Sequence, residues 1–231
     1  MADNRSIPNH LGLIMDGNRR WAKTNNLSSL QGHKKGYDNL KVIAQHAFDS
    51  GVKCVSAYIF SLENWNRSKK EVNYLMNLAY RMVTRDVDEL NEKKIRVVWL
   101  GSKDKVSKKL LDAIHAAENK TKNNKKGTLC ICFNYSGYQE IVDAFYRIID
   151  KKIPKEQINS TLIEDNLYGK NIPQVDFVIR TSGEQRISNF MLWRINYAEL
   201  FFVKKHWPAF SKKDLDEALL EYSNRERRFG K

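Results

Sequence analysis

No apolar run among the 231 residues approaches the roughly 18 that a membrane span requires, and the N-terminus lacks a charged region followed by an apolar stretch. The expectation is a cytosolic protein. Cysteine is scarce. Cys54, Cys130 and Cys132 sit inside the apolar runs "KCVSAYIF" and "TLCICFNY", away from histidine at metal-ligand spacing, so they read as reduced core residues. Tandem repeats, low-complexity tracts and anything that looks like a linker are missing, which leaves one domain spanning 1–231. Acidic residues are outnumbered, with Asp+Glu 27 against Lys+Arg 40 and a formal charge of +13. That balance favours nucleic acid, anionic membrane or phosphorylated small molecules without choosing among them. Aromatic-basic stacking platforms and a helix-turn-helix pattern are absent, which argues against nucleic acid. Many lysines fall in "GSKDKVSKKLLDA" and "ENKTKNNKKG", where a solvated helix face is the simpler reading.

What is present is core material: 42% hydrophobic residues, of which the aromatics make up 11% of the chain. Six short β-prone runs recur: "HLGLIMD", "VKCVSAYIF", "IRVVWLG", "TLCICFNYS", "VDFVIRTS" and "AELFFV". Helical patterns stand between them, around Gly36 to Ser50, Ser68 to Lys93, Lys103 to Thr121, Tyr138 to Lys152 and Lys212 to Arg227. This alternation predicts an α/β domain with a central, mostly parallel six-stranded sheet flanked by helices. In such a sheet ligands bind beyond the carboxyl ends of the strands.

Three of those ends carry polar clusters. In "MDGNRRW", Gly17 permits a tight turn, the next amides open a helix, and Arg19 or Arg20 supplies charged donors, a combination suited to an anion. Asp16 beside an anion needs a cation between them, so it reads as a magnesium ligand or, alternatively, as the N-cap of the next helix. In "FSLENWNRS", Ser61, Glu63, Asn64, Trp65 and Arg67 share one loop, and Ser68 with Glu71 has the spacing of a capping box. In "VIRTSGEQRISNF", Arg180 and Arg186 flank a Ser-Gly turn with Ser188 following, either a second phosphate clamp or a pair of surface arginines. Glu199, inside "INYAELFFV", is a candidate second metal-linked acid if buried. His33 in "QGHKKG" is placed to donate to a phosphate, whereas His10, His46, His115 and His206 are assigned no role. In the helix after the second cluster, Leu75, Met76, Leu78, Ala79, Met82 and Val83 cover more than a narrow stripe. They are either core or the lining of a cavity for an apolar substrate.

These clusters in this order resemble the cis-prenyltransferase family, from about His10 to Gly230. The matching segments are "HLGLIMDGNRRWAK", "GHKKG", "FSLENWNRS", "FNYSG", "DFVIRTSGEQRISNFMLWRINYAELFF", "WPAF" and "NRERRFG". The resemblance implies a magnesium-dependent enzyme with an apolar tunnel. It would add isopentenyl diphosphate repeatedly to an allylic diphosphate, normally farnesyl diphosphate, creating cis double bonds. The long-chain product would be a lipid carrier for cell-wall glycan precursors. The resemblance also implies that Asp16 and Asn64 are catalytic and that Asp16 and Glu199 bind metal. Gly17, Asn18, Arg19, Arg20, Trp21, His33, Ser61, Leu62, Glu63, Trp65, Arg67, Arg180, Arg186, Ile187 and Ser188 would bind substrate. It further implies a homodimer, with the "RERRFG" segment near the subunit contact, and the apolar product suggests peripheral contact with an anionic membrane. A non-catalytic partner subunit is the competing expectation. The family arginine three residues before Gly-His is Ser29 here, with Arg19 or Lys34 as substitutes for its charge. Leu62 replaces a common Ser or Thr, and Ser136 and Tyr138 stand where Gly and Arg are usual.

Overall fold

In the computed structural model, which describes residues 6–227, the six apolar runs form one sheet. Its strands are β1 (His10–Ile14), β2 (Cys54–Ser61), β3 (Ile95–Leu100), β4 (Gly127–Tyr135), β5 (Phe177–Arg180) and β6 (Glu199–Phe202). Every pairing is parallel, in the order β3-β4-β2-β1-β5-β6, so the sheet is wholly rather than mostly parallel. The chain leaves β1 toward β2 on one side and returns through β5 on the other. The crevice between the carboxyl ends of β1 and β5, where Ile14 is level with Arg180, is therefore the switch point of the topology.

On one face the sheet packs under α2 (Ser29–Asp49), α3 (Lys69–Arg81), α5 (Lys108–Thr121) and α8 (Lys212–Ser223), around Leu11, Leu13, Ile43, Phe60, Ile95, Phe177 and Leu215. The other face is covered by two irregular segments, Tyr168, Ile172 and Val175 before β5 and Phe190 and Met191 after it. All three cysteines are free and buried, as expected of reduced core residues.

Several boundaries differ from the sequence expectation for local reasons. α2 starts at Ser29 rather than Gly36 because Ser28 and Gln31 cap it reciprocally. Its two glycines then lie inside the helix, where they admit α1 (Asn18–Thr24). A Cβ on Gly36 would stand 2.1 Å from Asn18 Oδ1, and one on Gly32 would stand 2.2 Å from the Asn18 carbonyl oxygen. The expected helix Ser68 to Lys93 is broken into α3, a π turn over Met82–Asp86 and α4 (Val87–Glu92). The wide turn lets Met82, Val83 and Val87 all point inward. α5 begins at Lys108, not Lys103, with Ser107 as its N-cap. α6 (Gly137–Asp150) matches its expected span closely, and the short α7 (Ser160–Asp165) was not anticipated. α8 ends at Ser223, and Arg225 and Arg227 leave it to pair with Glu199 and Asp176. The "RERRFG" segment is described only as far as Arg227; 228–230 lie outside the described residues.

Candidate active site

Beyond Ile14 the chain reaches Asp16 and turns sharply at Gly17, whose φ is +100°. Glycine is required there on two counts: the conformation, and the space, since a Cβ would meet His206 Nδ1 and Ser182 Oγ at 2.7 Å each. The Asp16 backbone is held from two sides. Thr181 Oγ1 donates to its carbonyl at 2.8 Å and the Trp207 N–H donates to the same oxygen at 3.0 Å. Gly17, not Asp16, occupies the N-cap of α1. The capping alternative for Asp16 is thereby excluded. Its carboxylate instead accepts from Arg180 Nη2 at 2.9 Å and from Arg20 Nη2 at 3.1 Å. Burial acts to raise the Asp16 carboxyl, but the Arg180 bond and the charges of Arg20 and Arg180 outweigh it and hold it below its ordinary value.

Arg180, almost wholly buried at the end of β5, organises the third cluster. It donates to Asp16, to Ser188 Oγ at 2.9 Å and to the Arg186 carbonyl, while its Nε has no hydrogen-bond partner among the described residues. The Ser-Gly turn is real: Ser182 and Gly183 both have positive φ, and Ser182 Oγ bonds His206 Nδ1 at 2.7 Å. The Arg186 side chain lies in solvent and pairs with Glu184, which also binds Arg20 at 2.8 Å.

In the second cluster Asn64 Oδ1 accepts the Ser61 N–H at 3.1 Å, closing a reciprocal cap on the turn Leu62–Asn66. That leaves the Asn64 amide NH2 as its outward-facing donor. The expected Ser68–Glu71 box is half formed. Ser68 caps the Glu71 N–H, but the Glu71 carboxylate turns inward to His33 Nε2 at 2.8 Å and Arg67 Nη1 at 3.1 Å. Burial works against ionising Glu71, yet the His33 bond and the Arg67 charge keep its carboxyl below the usual range. Burial pushes the His33 imidazole down, offset in part by Glu71.

Together these loops enclose a cleft of about 1000 Å³ at the switch point. Asp16, Gly17, Asn18, Arg19, Arg20, His33, Ser61, Glu63, Asn64, Arg67, Arg180 and Ser188 line it, joined by Lys23, Ser29, Tyr58 and Asn189. Five cationic side chains, Arg19, Arg20, Lys23, Arg67 and Arg180, face two carboxylates, Asp16 and Glu63. Of the two substitutes for an arginine at Ser29, Arg19 lines the cleft, whereas Lys34 is tied to Asp38 and does not.

The remaining expected residues stand elsewhere. Trp21, Leu62, Trp65, Arg186 and Ile187 are not in the cleft wall. Trp65 packs edge-on against Phe60 and donates to Asn134 Oδ1 at 2.7 Å, and Ile187 packs into the second core cluster. Glu199 is the largest displacement. It opens β6 level with Phe177, at the amino end of the sheet, and binds Arg225 Nη1 at 3.0 Å. Half-exposed on an edge strand and already paired, it does not join Asp16 within this chain, so the apolar run around it misled. Among the described residues no group of three or more His, Cys, Asp or Glu side chains forms a metal cluster. The carboxylates in the cleft wall, Asp16 and Glu63, are hard oxygen donors of the kind a divalent cation takes.

Sequence reasoning missed Glu71, Thr181, Ser182, Glu184, His206 and Trp207 as supports of the site. Only Glu71 carried a signal: a carboxylate four residues after Arg67.

The fold and cleft define an α/β protein with a cation-rich cleft at the carboxyl end of a parallel sheet. The family model for undecaprenyl diphosphate synthase matches residues 14–230. The chain is 42% identical over 226 residues to an isoprenyl transferase of Thermotoga maritima, covering 97% of each. To the (2E,6E)-farnesyl-diphosphate-specific ditrans,polycis-undecaprenyl-diphosphate synthase of Pasteurella multocida it is 43% identical over 232 residues, covering 99% of this chain and 97% of that one. Lavandulyl diphosphate synthase from Lavandula x intermedia, solved with dimethylallyl diphosphate, superposes with a TM-score of 0.91 at 34% identity, over 97% of this chain and 99% of that one. The chain belongs to the undecaprenyl diphosphate synthase family of isoprenyl transferases.

Proposed function

We propose that residues 1–231 form a single magnesium-dependent cis-prenyltransferase domain that condenses isopentenyl diphosphate onto an allylic diphosphate, farnesyl diphosphate first, to build a long-chain Z-polyprenyl diphosphate. The observation that carries this is the five-to-two excess of cations around Asp16 in a cleft that opens onto apolar space lined by Leu75, Leu78, Ala79 and Met82. One wall, from Gly17 to Arg20 with His33 and Arg67, suits the allylic diphosphate. The other, Arg180 and Ser188, suits the isopentenyl diphosphate, and Arg186 would have to leave Glu184 to join them. Asp16 would hold magnesium, which would supply charge neutralisation for the diphosphate leaving group. Arg180 and Arg20 must release Asp16 as substrate arrives, and each then has a phosphate oxygen as its new acceptor. Asn64 orients the isopentenyl group through its NH2, since its carbonyl is engaged by Ser61. A neutral amide is a poor base, so a diphosphate oxygen takes the proton released when the new alkene forms. Glu199 would serve a metal only from outside this chain's own cleft.

A homodimer accounts for α6, whose Tyr138, Val142, Phe145, Tyr146 and Ile149 expose one apolar face. No described helix is long and apolar enough to cross a membrane. Lys69, Lys70, Lys103, Lys105, Lys108 and Lys109 are exposed where α3 and α5 begin, which supports peripheral contact with an anionic leaflet from the cytoplasmic side. Membership of the undecaprenyl diphosphate synthase family supports a role for the product as a cell-wall lipid carrier. A non-catalytic partner subunit is disfavoured because Asp16, Arg180 and Ser188 converge.

The test is incubation of the purified chain with radiolabelled isopentenyl diphosphate, farnesyl diphosphate and magnesium, with and without chelator, alongside Asp16→Ala. Long polyprenyl products that need magnesium and vanish in Asp16→Ala are expected. No product with any allylic primer would overturn the assignment.

A further inference from the structure

The apolar space behind the cleft does not run on unobstructed. It shares Met15, Asn18, His33, Tyr58 and Ile59 with the cleft, then continues between α2, α3 and β2. A second space lies between α2, α4, β3 and β4, with Phe48, Ile95 and Leu129 along one wall. Among the described residues the two spaces share three side chains: Tyr37, Leu40 and Met82.

The neck they form is pinned. The Tyr37 hydroxyl donates to Asp86, and Lys41 Nζ reaches the other Asp86 oxygen at 3.3 Å. Lys41 also holds Glu89 at 2.8 Å, and Lys93 holds Glu89 at 2.7 Å. Met82 and Asp86 are the first and last residues of the π turn, so the same irregularity supplies both a neck side chain and its anchor. Beyond the neck Ala44, Phe48, Leu90, Ile95 and Leu129 share the lining with Lys41, Gln45, Asp86, Glu89 and Lys93.

We propose that Tyr37, Leu40 and Met82 form a gate across the elongation cavity, fastened by Asp86, and that this gate sets the longest product. The proposal rests on the reading that the cleft elongates an allylic diphosphate. A chain growing away from the diphosphates advances on the gate from the α3 side. To pass, it must break the Tyr37–Asp86 hydrogen bond and displace the side chains of Leu40 and Met82 from the neck. Met82, unbranched and flexible, yields to a chain that reaches it, whereas the pinned tyrosine does not.

The experiment compares the length distribution of radiolabelled products from wild type, Tyr37→Ala, Asp86→Ala and Met82→Trp, made from farnesyl and isopentenyl diphosphates and resolved after dephosphorylation. Length per product chain is independent of how much product each variant makes. Tyr37→Ala and Asp86→Ala are expected to lengthen the longest product by at least one five-carbon unit, and Met82→Trp to shorten it by at least one. Should Tyr37→Ala fail to fold, Tyr37→Phe keeps the ring, removes the pin, and is expected to extend the distribution upward. A wild type that elongates, with every folded variant giving its length distribution, overturns the gate alone. A wild type that condenses nothing overturns the reading beneath it.

Discussion

Replacing Glu71 by glutamine removes a charge that faces His33 at 2.8 Å and Arg67 at 3.1 Å, with the Glu71 and His33 side chains 9% and 6% exposed. A hydrogen bond to a charged group contributes about 1.5–3 kcal/mol. Arg67 keeps some contact with solvent, so its share belongs at the low end. Loss of both bonds in Glu71→Ala therefore costs about 3 kcal/mol, and Glu71→Gln, which retains an acceptor of similar reach, costs about 1.5 kcal/mol. The pH dependence separates charge from packing. Because the folded Glu71 carboxyl lies below its usual 4.5, the unfolded chain binds its proton more readily. The stability it contributes is complete above the unfolded value and lost as pH falls through the depressed folded one. Urea unfolding of wild type and Glu71→Gln should thus differ by about 1.5 kcal/mol at pH 7 and converge at low pH. With His33 and Arg67 no longer fixed, kcat/KM should fall at least about tenfold, equivalent to 1.4 kcal/mol of transition-state stabilisation. A stability difference under about 0.5 kcal/mol at pH 7, or one that is unchanged by acid, would refute the reasoning.

Three other outcomes are expected. Asn64→Asp keeps the acceptor for the Ser61 N–H but loses the outward NH2, so its unfolding midpoint should hardly move while kcat drops by about 10²-fold; a wild-type rate excludes an amide-donor role. Gly17→Ala adds about 1–2 kcal/mol of left-handed strain and displaces His206 or Ser182, and shifting Asp16 with them should lower kcat/KM about 10²-fold by initial rates. Ile149→Glu and Tyr146→Glu on the exposed face of α6 should convert a dimer to a monomer in light scattering, and wild type eluting as a monomer would count against the dimer.

Much of the cleft was legible because its parts are local. The run that ends in Asp16-Gly17 predicts a strand and a tight turn, and the positive φ at Gly17 is what a glycine there is for. The same holds for Ser182-Gly183 between two arginines. Alternating apolar runs and helical periods likewise predicted six strands and a parallel sheet. What misled was burial inferred from neighbours. Glu199 stands in an apolar run, but that run is an edge strand, and only the position of β6 exposes the carboxylate to Arg225. Ser68 and Glu71 have capping-box spacing, but a buried histidine from another helix competes for the carboxylate and wins.

The sequence by itself determined which side chains carry charge at the ends of β1, β2 and β5, because turn chemistry and strand length act over a few residues. Only the tertiary structure decided which of them meet. Asp16 and Arg180 are 164 residues apart and come within 2.9 Å because the strand order places β5 beside β1. The fastening of Tyr37 to Asp86, the support of Asp16 by Trp207 and the pairing of Glu71 with His33 depend likewise on helices and loops packed across one sheet. Those contacts arise from shape and burial summed over the whole chain, a long-range property that no local pattern of residues encodes.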